Sequence, residues 1–231
     1  MTATLTSPST SISVDPAIAS LATLADLLHQ LGDIPPHRVR MKPYPGTATE
    51  QDVVAAEAAP DKRLCELVDS TLVEKPMGQY EARVGGLIFH FIEDYLEEHD
   101  LGIAYPADAM LRVVPRRVRL PDVSFVSWNK LPNRELPAEP IADLVPDLAV
   151  EVLSEGNTPR EMETKRREYF EGGSHLVWEI DPDTHTARVY TNPDQFQEIG
   201  PDGSLDGGDV LPGFTLSLAR LFARAGRQRG A

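Results

Sequence analysis

Residues 147–153, Asp-Leu-Ala-Val-Glu-Val-Leu, are a short apolar run suited to the interior of a sheet, and a glutamate stands in the middle of it. Burying an unpaired carboxylate is expensive, so Glu151 calls for a hydrogen-bonded partner or a cation. Pairing with an arginine would meet that need, as would a strand end near solvent or a functional site. The next segment narrows the choice. Thr158-Pro159-Arg160-Glu161 combines a capping box with a proline at the first helical position, predicting a helix from about 159 to Glu171 that Gly172-Gly173 stops. Met162, Lys165 and Tyr169 fall at i, i+3 and i+7 of that helix, so Lys165 shares the apolar face that should pack on the sheet.

Asp122 follows Pro121 and precedes the alternating run Val123 to Val126. Taken singly, each residue has a bland reading: Asp122 as a turn residue, Lys165 as an exposed partner of Glu161 or a snorkelling side chain. Two carboxylates on central strands with an inward lysine on the next helix also form a constellation for phosphodiester hydrolysis. Hard oxygen ligands suit Mg²⁺, and an ammonium can orient water or offset transition-state charge.

The rest of the chain reads as one α/β unit with appendages. Residues 1–16 look like a disordered tail, and residues 17–63 like an N-terminal helix and a Pro-rich connector. Ile18, Leu21, Leu24, Ala25 and Leu28 recur at helical spacing before Gly32. Leu64–Val68 and Thr71–Glu74 predict a hairpin around Asp69-Ser70. Val84, Leu87, Ile88, Phe91, Ile92, Tyr95 and Leu96 then make the stripe of a long helix, with Glu81 expected on its buried face. Strands are expected near 111–115, 118–127, 147–153, 176–180 and 187–191, with a last helix at about 217–225 and a basic tail over 226–231. This order predicts a central mixed sheet flanked by helices.

Net charge of −14 opposes binding to a polyanion, so the distribution of charge matters. Residues 50–100 hold 13 acidic and 4 basic side chains, whereas 111–134 hold Arg112, Arg116, Arg117, Arg119, Lys130 and Arg134 around Asp122. That strip reads equally as a phosphate-facing surface or as a solvated strand face. A single cysteine, Cys65, excludes an internal disulfide and a cysteine-based zinc site and fits a cytoplasmic setting. The six histidines lack zinc-site spacing, and no apolar run approaches the roughly 20 residues of a membrane span.

Six stretches carry a resemblance: ELVDSTLVEKPMG at 66–78, LPDVSFVS at 120–127, PDLAVEVLSEGNT at 146–158, METKRREYFEGG at 162–173, VWEIDPDTHTARVY at 177–190 and LPGFTLSLARLF at 211–222. Through them the chain resembles the Uma-type family of putative restriction endonucleases, a branch of the PD-(D/E)XK nuclease superfamily. The resemblance implies a restriction-endonuclease-like domain over 64–225. It implies Asp122 and Glu151 as ligands of Mg²⁺, or of Mn²⁺ as a substitute, with a backbone carbonyl near Val152 completing the set. It also implies Lys165 as the catalytic lysine and Glu81 as a further acidic residue. Leu153 stands where the usual Glu-x-Lys pattern has lysine, so Lys165 is needed for that reading. DNA is the implied partner, and a homodimer is expected by analogy with nucleases that cut both strands. The rival is a nuclease-fold binding protein without turnover. A glycoside hydrolase would have no use for the lysine.

Overall fold

The computed structural model describes residues 13–76 and 78–226. In chain order the elements are α1 (Pro16–Ala19), α2 (Leu24–Gln30), α3 (Glu50–Ala58), β1 (Cys65–Val68), β2 (Thr71–Glu74), α4 (Gln79–Glu98), β3 (Gly102–Pro106), β4 (Met110–Val114), β5 (Arg117–Arg119), β6 (Val123–Ser127), β7 (Ile141–Ala142), β8 (Leu148–Val152) and α5 (Pro159–Gly172). They continue with β9 (Leu176–Asp181), β10 (Thr186–Tyr190), β11 (Phe196–Ile199), β12 (Ser204–Asp206), β13 (Thr215–Ser217) and α6 (Leu218–Ala225).

Two large sheets share the work, beside a two-stranded β12-β13 sheet. One has the order β2-β1-β5-β4-β7 and the other β11-β10-β9-β8-β6-β3. In the second, β8 and β9 are parallel and their neighbours antiparallel, with α5 as the crossover. A mixed sheet flanked by helices is therefore what the chain forms. Helices α4 and α6 cover one face of the six-stranded sheet, packing Val84, Ile88, Ile92, Leu221 and Phe222 against Val123, Val150, Val152 and Trp178. On the other face Val126, Ala149 and Val177 meet Tyr169 of α5 together with Leu111 and Val113 of β4. Helix α5 is thus held between the sheets, which is why the central strand β8 is buried along its whole length.

The expected hairpin forms, with Val68 opposite Thr71 and both turn residues at positive φ, Asp69 at 45° and Ser70 at 52°. Helix α5 starts where its sequence predicts, with the Thr158 side chain accepting from Glu161 N at 3.0 Å and Gly173 at φ 109° closing it, but the Glu161 side chain pairs with Arg38 and does not complete a capping box. Three expectations change. The N-terminal helix is two short helices, because Thr23 and Asp26 form a capping box that starts α2 afresh. Helix α3 falls within the stretch read as connector, where Val53 is its one buried residue and leaves no stripe to see. The single strand expected at 118–127 is two, since the chain leaves the first sheet after β5 and joins the second at β6.

Residues 1–12, the greater part of the expected tail, and 227–231, nearly all of the basic tail, lie outside the described residues. Asp15, also assigned to the tail, is 5% exposed; it caps α1 and pairs with Arg116 at 2.9 Å. Among the described residues no helix is long and apolar enough to cross a membrane.

Candidate active site

The switch between sheets sets Asp122. Its N–H donates to Val150 O at 2.9 Å and its Oδ2 accepts from Val152 N at 2.7 Å, so the carboxylate is locked to the end of β8. Its Oδ1 lies 2.9 Å from Lys75 Nζ. Lys75, buried just beyond β2, also donates to Leu120 O at 2.6 Å and to Ala107 O at 3.4 Å. Asp122, Val152 and Glu81 line one cavity of about 160 Å³ together with Gly85. Glu81 and Lys75 also line the adjoining cleft of about 920 Å³.

Glu151 lies on the other face of β8. It is 4% exposed, and its Oε1 accepts from Tyr169 OH at 2.6 Å. Lys165 Nζ is 3.3 Å from Glu151 Oε2 and 2.9 Å from Glu66 Oε1, and at 1% exposure it is sealed from solvent. Glu66 passes the chain of charges on: its Oε2 meets Arg119 at 2.7 Å, and Arg119 meets Glu168 at 2.6 Å. Burial works to raise the Glu66 carboxyl, but the Lys165 and Arg119 charges overcome it and hold the group down at about 2. Burial wins at Glu151, whose carboxyl is raised, because Asp122 and Glu66 add repulsion to the attraction of Lys165. Desolvation opposes the Lys165 ammonium, yet the Glu151, Glu66 and Glu161 charges keep it above its ordinary range.

The set expected from sequence is thus partly gathered. Lys165 does turn inward, and Glu161 is not its exposed partner: Glu161 forms a buried pair with Arg38 at 2.6 Å. Glu81 is half-buried at the cleft, not on the fully buried face, because it sits in the first turn of α4, ahead of the buried stripe that begins at Val84. Leu153 lines a different cavity, of about 410 Å³, beside Met162 and Tyr190. Cys65 is buried, as its apolar surroundings imply.

Sequence reasoning missed Glu66, Lys75, Tyr169 and Arg119 as site residues. Glu66 carries the same signal as Glu151, a lone carboxylate inside an apolar strand, here Cys65-Glu66-Leu67-Val68. Lys75 gives no such signal, since only folding brings Asp122 beside it.

The donor chemistry suits a hard divalent cation: carboxylates of Asp122, Glu151 and Glu81, and the Val152 carbonyl, are all oxygen. In arrangement, Asp122 and Glu151 each already hold an ammonium. Among the described residues no three His, Cys, Asp or Glu side chains converge as a metal site. A cation on Asp122 Oδ1 therefore competes with Lys75.

The basic strip of 111–134 is neither a run of free cations nor simply a solvated strand face, because each of its cations has a carboxylate partner and Arg119 is buried. Arg112 pairs with Glu50 and Asp143, Arg116 with Asp15, Arg117 with Asp69 and Glu168, Arg119 with Glu66 and Glu168, Lys130 with Asp147, and Arg134 with Asp100. These pairs range from the buried Arg119 to the exposed Arg116 and Arg134.

Comparison with known proteins agrees with this architecture. The family described as "Uma2: Putative restriction endonuclease" matches residues 51–219, more than half of the chain. A crystal structure of a putative nuclease belonging to DUF820, from Anabaena variabilis ATCC 29413, superposes with a TM-score of 0.63 at 21% identity, over 71% of this chain and 92% of that one. At that identity the likeness speaks for the fold. No curated protein matches the chain.

Proposed function

Because the chain belongs to the Uma2 restriction-endonuclease family, a nuclease family, we propose that it is a Mg²⁺-dependent endodeoxyribonuclease that hydrolyses phosphodiester bonds. The observation that carries this reading is the pair of carboxylates on either side of β8, Asp122 and Glu151, each matched to a lysine ammonium. Asp122, which lines the cavity with Val152 and Glu81, would hold the ion, whereas Glu151, sealed on the opposite face of β8, would join it only by releasing Lys165. When bound, Mg²⁺, or Mn²⁺ in its place, supplies a water of lowered pKa and charge neutralisation at the phosphoryl group.

The chain's own residues do the rest. Val152 N–H fixes one Asp122 oxygen, leaving the other, now with Lys75, to face the cavity. Tyr169 OH and Lys165 hold the Glu151 carboxylate in one orientation, and Lys165 adds positive charge behind it. Glu81, which lines both the cavity and the cleft, would accept a proton or hold a water. Cutting both strands of a duplex calls for two such sites, so a homodimer is part of the reading, as is a cytoplasmic setting.

One observation favours a second reading, a nuclease-fold binding protein without turnover: both carboxylates are already neutralised, and Lys165 is out of reach of solvent. Nicking of supercoiled plasmid separates the two. Mg²⁺-dependent nicking by the natural chain, lost in Asp122→Asn and in Glu151→Gln, is the expected result. A protein that retains duplex yet never nicks it with Mg²⁺ or Mn²⁺ would establish the binding reading instead.

A further inference from the structure

All but five of the lysines and arginines among the described residues have a carboxylate within 4.0 Å; the five are Lys42, Arg83, Arg188, Arg220 and Arg224. Three of these five meet on one surface, where α6 lies across α4. The Arg220 and Arg224 guanidiniums stack over the Phe91 ring, at 4.8 and 5.5 Å from its centroid. Arg83 donates to Arg224 O at 3.4 Å, and His90 Nε2 lies 3.5 Å from Arg224. All three arginines are exposed.

We infer that this α4–α6 face, through Arg83, Arg220 and Arg224, binds the phosphate backbone of the duplex DNA presented to the active site. The inference rests on the nuclease reading above and adds where the substrate lies. Position supports it. Arg83 lines the 920 Å³ cleft with Glu81, and the same cleft takes in Ala225 at the end of α6. Glu81 in turn lines the cavity of Asp122. The face thus runs from the mouth of the site outward along α6.

Chemistry supports it as well. In a chain of net charge −14, a polyanion can be met only where cations are not cancelled locally. The Phe91 ring attracts both guanidiniums by cation–π interaction without cancelling their charge. The strip of 111–134 fails on the same count, since its cations are paired.

The test is duplex binding by fluorescence anisotropy across a salt series, in EDTA so that no cleavage occurs. The triple variant Arg83→Gln, Arg220→Gln, Arg224→Gln should flatten the slope of log affinity against log salt by between about 2 and 3, at about 0.9 for each phosphate no longer neutralised. The triple lysine variant, which keeps the charges, should retain the slope. Arg188→Gln, on β10 and stacked on Phe196, should leave it unchanged. A glutamine triple variant with the natural slope overturns the inference while the nuclease reading stands, and so does an equal flattening with Arg188→Gln. Absence of any duplex binding by the natural chain at low salt overturns the DNA reading and this inference together.

Discussion

Lys75 with Asp122 and Lys165 with Glu151 are the same chemical pair in two settings, one on each face of β8. Lys75 and Asp122 stand at the wall of a cleft, bonded in part to backbone, with a second Asp122 oxygen held by Val152 N–H. Lys165 and Glu151 lie in a sealed layer where Glu66, Arg119 and Glu168 continue the alternation of charge. Both ammoniums are buried, with the Lys75 side chain 2% and the Lys165 side chain 1% exposed, but the Asp122 carboxylate is 15% exposed at the cavity, so an incoming cation can reach it. An ammonium buried among carboxylates is fixed, because breaking such a pair strands a charge away from water. The difference lies in the exposure of the carboxylate, not of the lysine: Asp122 opens on a cavity and Glu151 does not.

The largest effect expected from breaking the contrast is at Lys165. Lys165→Met leaves Glu66 and Glu151 facing each other in the core and should cost about 3–5 kcal/mol by urea denaturation, with cleavage abolished. A variant of natural stability would show that the layer is not held by this ammonium.

The next effect is in acid. The folded Glu66 carboxyl, held at about 2 against an ordinary 4.5, contributes stability that is complete above 4.5 and lost as pH falls toward 2, worth about 3 kcal/mol. Glu151 runs in the opposite sense: its raised carboxyl contributes stability that is present below 4.5 and lost as pH rises through its folded value. Glu66→Gln should therefore flatten the acid limb of the stability profile, and Glu151→Gln should flatten the decline above 4.5. Identical limbs in both variants would contradict the assignment of these shifts.

The smallest effect, and the one that sharpens the comparison most, is at the cleft. Lys75→Met should cost about 1–3 kcal/mol, since Asp122 keeps the Val152 N–H and access to water. It should also raise the affinity for Mn²⁺ severalfold by calorimetry, because the competing ammonium is gone. Affinity that falls, or stays as in the natural chain, would count against exchange at Asp122.

Much of the site was legible in local pattern. Glu151 in an apolar strand, the Thr158 cap and the helical placing of Met162, Lys165 and Tyr169 are all short-range signals that correspond to what folds, whereas the other half of the expected capping box is lost because Glu161 pairs with Arg38. The hairpin at 65–74 was legible for the same reason. The strip of 111–134 was not: its arginines are close in sequence, but their partners are Asp15, Glu50, Glu66, Asp69, Asp100, Asp143, Asp147 and Glu168, most of them far away along the chain. Helix α3 escaped because it packs through one buried valine.

By itself the sequence carried the family, through a resemblance in six stretches, and it carried the mixed sheet, the burial of Glu151 and the inward turn of Lys165, since periodicity, capping and a lone charge in an apolar strand act over a few residues. Only the tertiary structure decided that Lys165 is shared with Glu66, that Lys75 holds Asp122, and that the unpaired arginines gather on α4 and α6. Those facts depend on which distant carboxylate comes within 4 Å of which cation, and a charge is cancelled or left over only when the whole chain is packed.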